Sequence, residues 1–128
     1  MNLLLDTHAL IWWLAGDEAL GTRARALIAD EANQVFVSAA SAMEISTKRR
    51  LGKLPDSGPL ATDLPAIMRD QRFVELPIAI AHASLAGNLR IAHKDPFDRI
   101  LIAQALVENW PLASNEALFD GFGVNRVW

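Results

Sequence analysis

Four acidic side chains, Asp6, Glu44, Asp98 and Glu116, are the residues of this 128-residue chain whose type and setting could do chemistry. Three of them, Asp6, Asp98 and Glu116, fall at the start of a helix-like pattern. Carboxylates brought together without partners repel, and the usual remedy is a divalent cation with oxygen ligands. Magnesium or manganese suits acids plus water best. The chain has no cysteine, which excludes a thiolate zinc site and a cysteine nucleophile, and no paired histidines that would suggest zinc by another route. A bound magnesium or manganese ion lowers the pKa of a water and stabilises charge on a phosphate, which is the chemistry of nucleases and phosphatases.

Each acid also has a purely structural explanation. Asp6 is placed to cap the first helix by accepting a backbone N–H. Glu44 lies three residues after Ser41, the spacing of a capping box, and four before Lys48, the spacing of a helical ion pair. Asp95 before Pro96 is a good cap with proline at the first helical position, and Asp98 is the acid of that first turn. Glu116, after Ser114, is favoured at a helix start by the helix dipole. What sets the functional reading apart is convergence. Helix starts that share one sheet edge bring their carboxylates together, and Glu44 joins them only if the first turns of its helix lie beside Asp6.

The elements that must position these residues alternate. Asn2 to Asp6 is predicted as a buried strand and Thr7 to Leu14 as an apolar helix stopped at Gly16. Leu20 to Asp30 reads as an amphipathic helix, Gln34 to Ser38 as a strand, and Ala39 to Leu51 as a helix ended by Gly52. Pro55 to Pro59 is expected to be a loop, Leu60 to Arg72 a helix, Phe73 to Pro77 a strand and Ile78 to Asn88 a helix. A polar connection over Arg90 to Lys94 leads to a strongly apolar helix from Asp95-Pro96 to about Asn109. Short strands at Pro111 to Ser114 and Val124 to Val127 flank a brief helix from Asn115 to Gly121. Strands alternating with helices make βα units on a mainly parallel sheet covered on both faces, an α/β fold. Ligands of such sheets sit beyond the carboxyl ends of the strands.

At this length and 52% hydrophobic residues the chain is expected to form one domain, 1–128, around a single core. The opening apolar run is ended at once by Asp6, too short for a bilayer span and without the flank of a signal peptide, and the absence of cysteine makes a reducing cytoplasm the expected location. A net charge of −3 runs against a general nucleic-acid footprint. Two local basic clusters remain, Lys48-Arg49-Arg50 with Lys53, and Arg90, His93, Lys94 and Arg99. Lys48, Arg49, Lys94 and Arg99 are the candidate contacts to phosphates, against the plainer reading of a solvated surface. His93 could touch phosphate beside them, His8 is expected to pack near the first helix, and His82 has no partner pattern. Trp12 and Trp13, on different sides of a helix, could stack on a base or line a partner groove, and the favoured reading puts one in the core and one at an interface.

Four segments resemble the PIN-domain family, and its VapC-like branch of toxin–antitoxin ribonucleases in particular. Leu3-Leu4-Leu5-Asp6-Thr7-His8-Ala9-Leu10-Ile11-Trp12-Trp13 is similar to that branch's opening strand and first acid. Val37-Ser38-Ala39-Ala40-Ser41-Ala42-Met43-Glu44-Ile45 resembles the segment supplying the second. His93-Lys94-Asp95-Pro96-Phe97-Asp98-Arg99-Ile100-Leu101-Ile102-Ala103-Gln104-Ala105 resembles the third motif, with Asp98 at the metal position, and Pro111-Leu112-Ala113-Ser114-Asn115-Glu116 the fourth. The fourth commonly carries aspartate, so Glu116 is one methylene longer than the pattern. The resemblance implies a three-layer α/β/α sandwich on a short parallel sheet and Mg2+- or Mn2+-dependent endonucleolytic cleavage of RNA. It also implies a small VapB-type antitoxin that occludes the site, and often a homodimer. Asp6, Glu44, Asp98 and Glu116 are then both the metal ligands and the catalytic acids.

Two rival readings keep the same acids. A phosphatase on a similar sheet would gather carboxylates too, but Asp6-Thr7-His8 lacks the second aspartate, two residues on, that a haloacid-type enzyme uses as general acid. A non-catalytic PIN-like module that only binds RNA or a partner would be expected to have lost carboxylates, whereas all four positions remain acidic.

Overall fold

The computed structural model describes residues 1–54, 63–92 and 95–128. The elements run β1 (Asn2–Leu5), α1 (Thr7–Ala15), α2 (Thr22–Ala29), β2 (Gln34–Ser38), α3 (Ala39–Arg50), α4 (Leu64–Gln71), β3 (Val74–Leu76), α5 (Ile80–Asn88), α6 (Pro96–Glu108), β4 (Leu112–Ala113), a 3-10 helix (Ala117–Phe122) and β5 (Arg126–Val127). The expected loop over Pro55 to Pro59, the start of the helix expected from Leu60, and His93 and Lys94 lie outside the described residues. The segment expected as a helix from Asn115 winds instead as a 3-10 helix from Ala117, after Ser114 accepts the Glu116 N–H at 3.0 Å.

All five strands pair in parallel, in the order β3-β2-β1-β4-β5. Alternation along each strand divides the core into two clusters. Leu3, Leu5, Val35, Val37, Ala113 and Val127 meet Leu10 of α1 and Ala24 and Ile28 of α2 on one face. Leu4 and Leu112 meet Leu101, Ile102 and Ala105 of α6 and Phe119 of the 3-10 helix on the other, with Phe36 packed against them. The result is the three-layer α/β/α arrangement. Because both faces are covered, the strands are nearly unbroken apolar runs. Among the described residues no helix is long and apolar enough to cross a membrane.

The strand order reverses direction beside β1. The chain moves from β1 outward to β2 and β3, then returns to β4 on the opposite side. Such a switch point opens a crevice at the carboxyl ends of the strands, and Asp6 and Ser114, which follow β1 and β4, stand on either side of it.

One close approach fixes how α2 begins. A Cβ built on Gly21 would stand 2.5 Å from the carbonyl carbon of Trp128 and 2.7 Å from its Cδ1. Gly21→Ala is therefore expected to push the Trp128 backbone off its seat, at a cost of roughly 1–3 kcal/mol as for other overpacked positions. Chemical denaturation of the two proteins measures it; equal midpoints would mean that Trp128 moves freely.

Candidate active site

Where the sheet switches direction, a cavity of about 240 Å³ is lined by Asp6, His8, Trp12, Glu44, Lys48, Asp95, Asp98, Asn115, Glu116 and Phe119. All four acids singled out in the sequence thus share one cavity, and Asp95 joins them. Each arrives from a different element. Asp6 caps α1, its Oδ1 accepting the Ala9 N–H at 2.7 Å. Asp98 comes from the first turn of α6, whose cap is Asp95, accepting from Phe97 at 2.9 Å and Asp98 at 3.3 Å. Glu116 precedes the 3-10 helix, where its side chain makes no capping bond.

Capping and cavity lining therefore coexist at Asp6 and Asp95, and neither role excludes the other. The capping-box reading of Glu44 is overturned. Ser38 caps α3, accepting the Ala40 N–H at 3.0 Å, which leaves Glu44 in the helix interior. Its carboxylate instead accepts the Thr7 hydroxyl at 2.7 Å and pairs with Lys48 at 2.5 Å. The Thr7 and Ser41 hydroxyl oxygens also lie 3.0 Å apart, within hydrogen-bond distance, so the start of α1 is tied to the face of α3. That tie supplies the condition on which Glu44's membership depended, that its helix lie beside Asp6.

Asp6 is 5% exposed, and its pKa is pushed up from 3.8 to about 6. Burial is the main cause, and the negative charge of Asp98 adds to it; bonds from the Ala9 N–H and the Ser114 hydroxyl and the nearby His8 act the other way. The sign of the consequence is definite. Between about pH 4 and pH 6 the folded protein holds a proton on Asp6 that the unfolded chain has lost, so this group's contribution to stability falls as pH rises through that window. In EDTA, Asp6→Asn, which keeps a capping side chain, is expected to be more stable than the parent at pH 7 by roughly 2–3 kcal/mol. The gap should shrink toward pH 4. A difference independent of pH across that range in paired denaturation curves would show that Asp6 is not held against its charge.

Four candidate phosphate contacts meet different fates. Lys48 lines the cavity while paired with Glu44. Arg49 is exposed in the last turn of α3. Lys94 lies outside the described residues. Arg99 points inward: its guanidinium donates to the carbonyls of Ala86 at 3.0 Å, Leu89 at 2.7 Å, Ile91 at 3.3 Å and Gly87 at 3.4 Å. The geometry runs against a phosphate role for Arg99, because four of its N–H donors go to backbone carbonyls that close the end of α5.

The sequence reading raised base stacking for Trp12 but favoured core packing or a partner contact, and favoured local packing for His8 over a catalytic role; the structure places both in the cavity wall. Their spacing of four residues on α1 was the available signal, since it puts both on one side of a helix. Trp13 does diverge, its Nε1 donating to Gln71 at 2.9 Å.

Among the described residues no three acidic or histidine side chains stand grouped as a finished metal shell. The reason is visible in their bonds: Asp6 is turned to a backbone N–H, and Glu44 to Thr7 and Lys48. The donor set is nonetheless all oxygen, and the buried Asp6 beside Asp98 is an undercompensated carboxylate, so the residues suit a hard divalent cation once their side chains turn inward.

The PIN-domain family model matches residues 3–123. The chain belongs to the PIN-domain family. Its similarity to curated PIN-type relatives includes 42% identity over 73 residues to Ribonuclease VapC16 of Mycobacterium tuberculosis, 57% of this chain and 49% of that protein. The chain thus spans about half the length of that relative. Ribonuclease VapC22 of the same organism is 25% identical over 115 residues, 90% of this chain and 87% of that protein. In fold, this PIN domain is similar to VapBC2 from Rickettsia felis, solved bound to a DNA fragment from their promoter, with a TM-score of 0.70, 14% identity, and coverage of 99% of this chain and 98% of that one.

Proposed function

We propose that this PIN domain is an Mg2+- or Mn2+-dependent endoribonuclease acting as the toxin of a toxin–antitoxin pair. The observation that carries the reading is the convergence of Asp6, Glu44, Asp98 and Glu116 on one cavity at the switch point of the sheet. The similarity to VapC16 and VapC22, both named ribonucleases, supports RNA as the substrate. A fold shared with VapBC2 supports a VapB-type antitoxin as partner; the homodimer that the family resemblance implies is part of the same proposal.

In this reading Asp6 and Asp98 hold the ion, with Glu44 and Glu116 completing its surroundings directly or through water. When bound, Mg2+ or Mn2+ supplies an acidified water and offsets charge on the phosphate being cut. The chain's own groups do the positioning. The Ser114 hydroxyl and the Ala9 N–H hold the Asp6 carboxylate in place, and Thr7 holds Glu44 against α3. Lys48 neutralises Glu44 and stands at the cavity wall, where a phosphate oxygen could take over its charge. Glu116 is one methylene longer than the aspartate usual at its position, so its reach into the cavity is the part of the site that departs from the family pattern.

The test is cleavage of a mixed RNA pool by antitoxin-free protein with Mg2+ or Mn2+, against the same protein in EDTA. Cutting that needs the metal supports the proposal. Intact RNA in every arm, with the protein folded, would favour a PIN-like module that binds without cutting.

A further inference from the structure

The acids account for only part of the cavity wall. His8 and Trp12 line it as well, and their rings lie 5.4 Å apart with planes 33° from parallel. Trp128 closes edge-on against Trp12, at 5.7 Å and 64°. His8 is exposed and Trp12 half-buried. The three rings thus make a continuous aromatic ledge that starts beside Asp6 and runs out along α1. Four residues of helix, about 6 Å of rise, separate His8 from Trp12, which puts their rings one above the other on the same side of α1.

We infer that His8 and Trp12 form a stacking platform for an unpaired nucleobase of the RNA next to the phosphate held at the acids. This rests on the ribonuclease reading and deepens it. Two observations favour a base over any other occupant. The ledge is continuous with the carboxylate cavity, so whatever is cut there lies along it. And at about 240 Å³ the cavity has room for a phosphate and its ion, leaving the attached base to the rim. Stacking reads the flat face of a base and not its edge, so the platform selects for single-stranded or bulged RNA more than for a particular letter. It also gives an acidic protein a source of affinity that does not depend on net positive charge.

The test uses the full chain in an Asp98→Asn background with Mg2+ present. Binding of a single-stranded RNA and of an abasic RNA of equal length is measured by fluorescence anisotropy, and binding of the single strand is compared with that of its duplex. The parent is expected to prefer the based single strand over the other two. Trp12→Leu should weaken that binding about ten-fold or more, within the range for a lost base stack, and bring it close to the abasic value. Trp12→Phe, which keeps a ring, should restore most of the preference. His8→Ala changes an exposed side chain and serves if Trp12→Leu does not fold; it should narrow the same gap. Folded Trp12→Leu and His8→Ala proteins that keep the parent's preference would overturn the platform while leaving the ribonuclease reading in place. A parent that neither binds RNA in this background nor cuts it as wild type would overturn both.

Discussion

Asp6→Asn and Asp98→Asn are each expected to lower metal-dependent RNA cleavage more than the roughly 100-fold that loss of an outer-shell partner brings at metal sites. The proteins should stay folded. Asparagine caps a helix about as well as aspartate, so Asp6→Asn keeps the bond to the Ala9 N–H. Asp98→Asn leaves the Asp95 cap of α6 untouched. What each variant loses is negative charge at a point where the structure gathers it. Asp6 is the sharper case because activity and stability should move in opposite directions. Its charge is costly in the folded protein, with a pKa near 6, so the same substitution that removes cutting should raise the unfolding midpoint in EDTA at pH 7. Residues that only build the fold do not behave this way. The readouts are initial cleavage rates with Mg2+ and Mn2+ and denaturation in EDTA. A fully active Asp6→Asn protein would remove Asp6 from the metal site. Glu116→Asp, which restores the usual residue of the family, is the companion variant for the fourth position.

Arg99→Met is expected to cost roughly 2–4 kcal/mol of stability, the scale of losing charge-assisted hydrogen bonds to backbone groups. The four carbonyls it serves belong to the last turn of α5 and the segment after it, where backbone acceptors have no partners within the helix. A cation there also meets the negative end of the helix dipole. Arg99→Lys should recover little, because an ammonium cannot fork to several acceptors as a planar guanidinium does. Urea denaturation should show a lower midpoint with an unchanged slope. The opposite result, full stability with weaker RNA binding and a shallower salt dependence, would restore the phosphate role suggested by its place in a basic stretch.

Arg99 also marks where sequence reading stopped. Its neighbours Arg90, His93 and Lys94 made it look like one of a surface set, and nothing local reveals that the end of α5 folds back against α6. Glu44 stopped it in another way. The Ser41 spacing fits a capping box and the Lys48 spacing an ion pair; only the second exists, because the helix cap is Ser38, three residues before Ser41. Trp12 and Trp13 were separable by helix angle, but which one faces the acids depends on how α1 is rotated on the sheet.

Local patterns in the chain were enough for the α/β alternation, for the stop of α1 at Gly16, for the caps at Asp6 and Asp95, and for the four acids. These follow from the strand and helix periods, from the left-handed backbone that glycine accepts, and from carbonyls and N–H groups within a few residues. The union of the acids in one cavity, the turning of Arg99 inward, and the placing of His8 and Trp12 beside Asp6 came from the fold. The acids lie tens of positions apart, Arg99 reaches carbonyls 8 to 13 positions back, and the side of α1 that meets the acids depends on its rotation on the sheet; strand order and helix packing set all three, which no short stretch of sequence encodes.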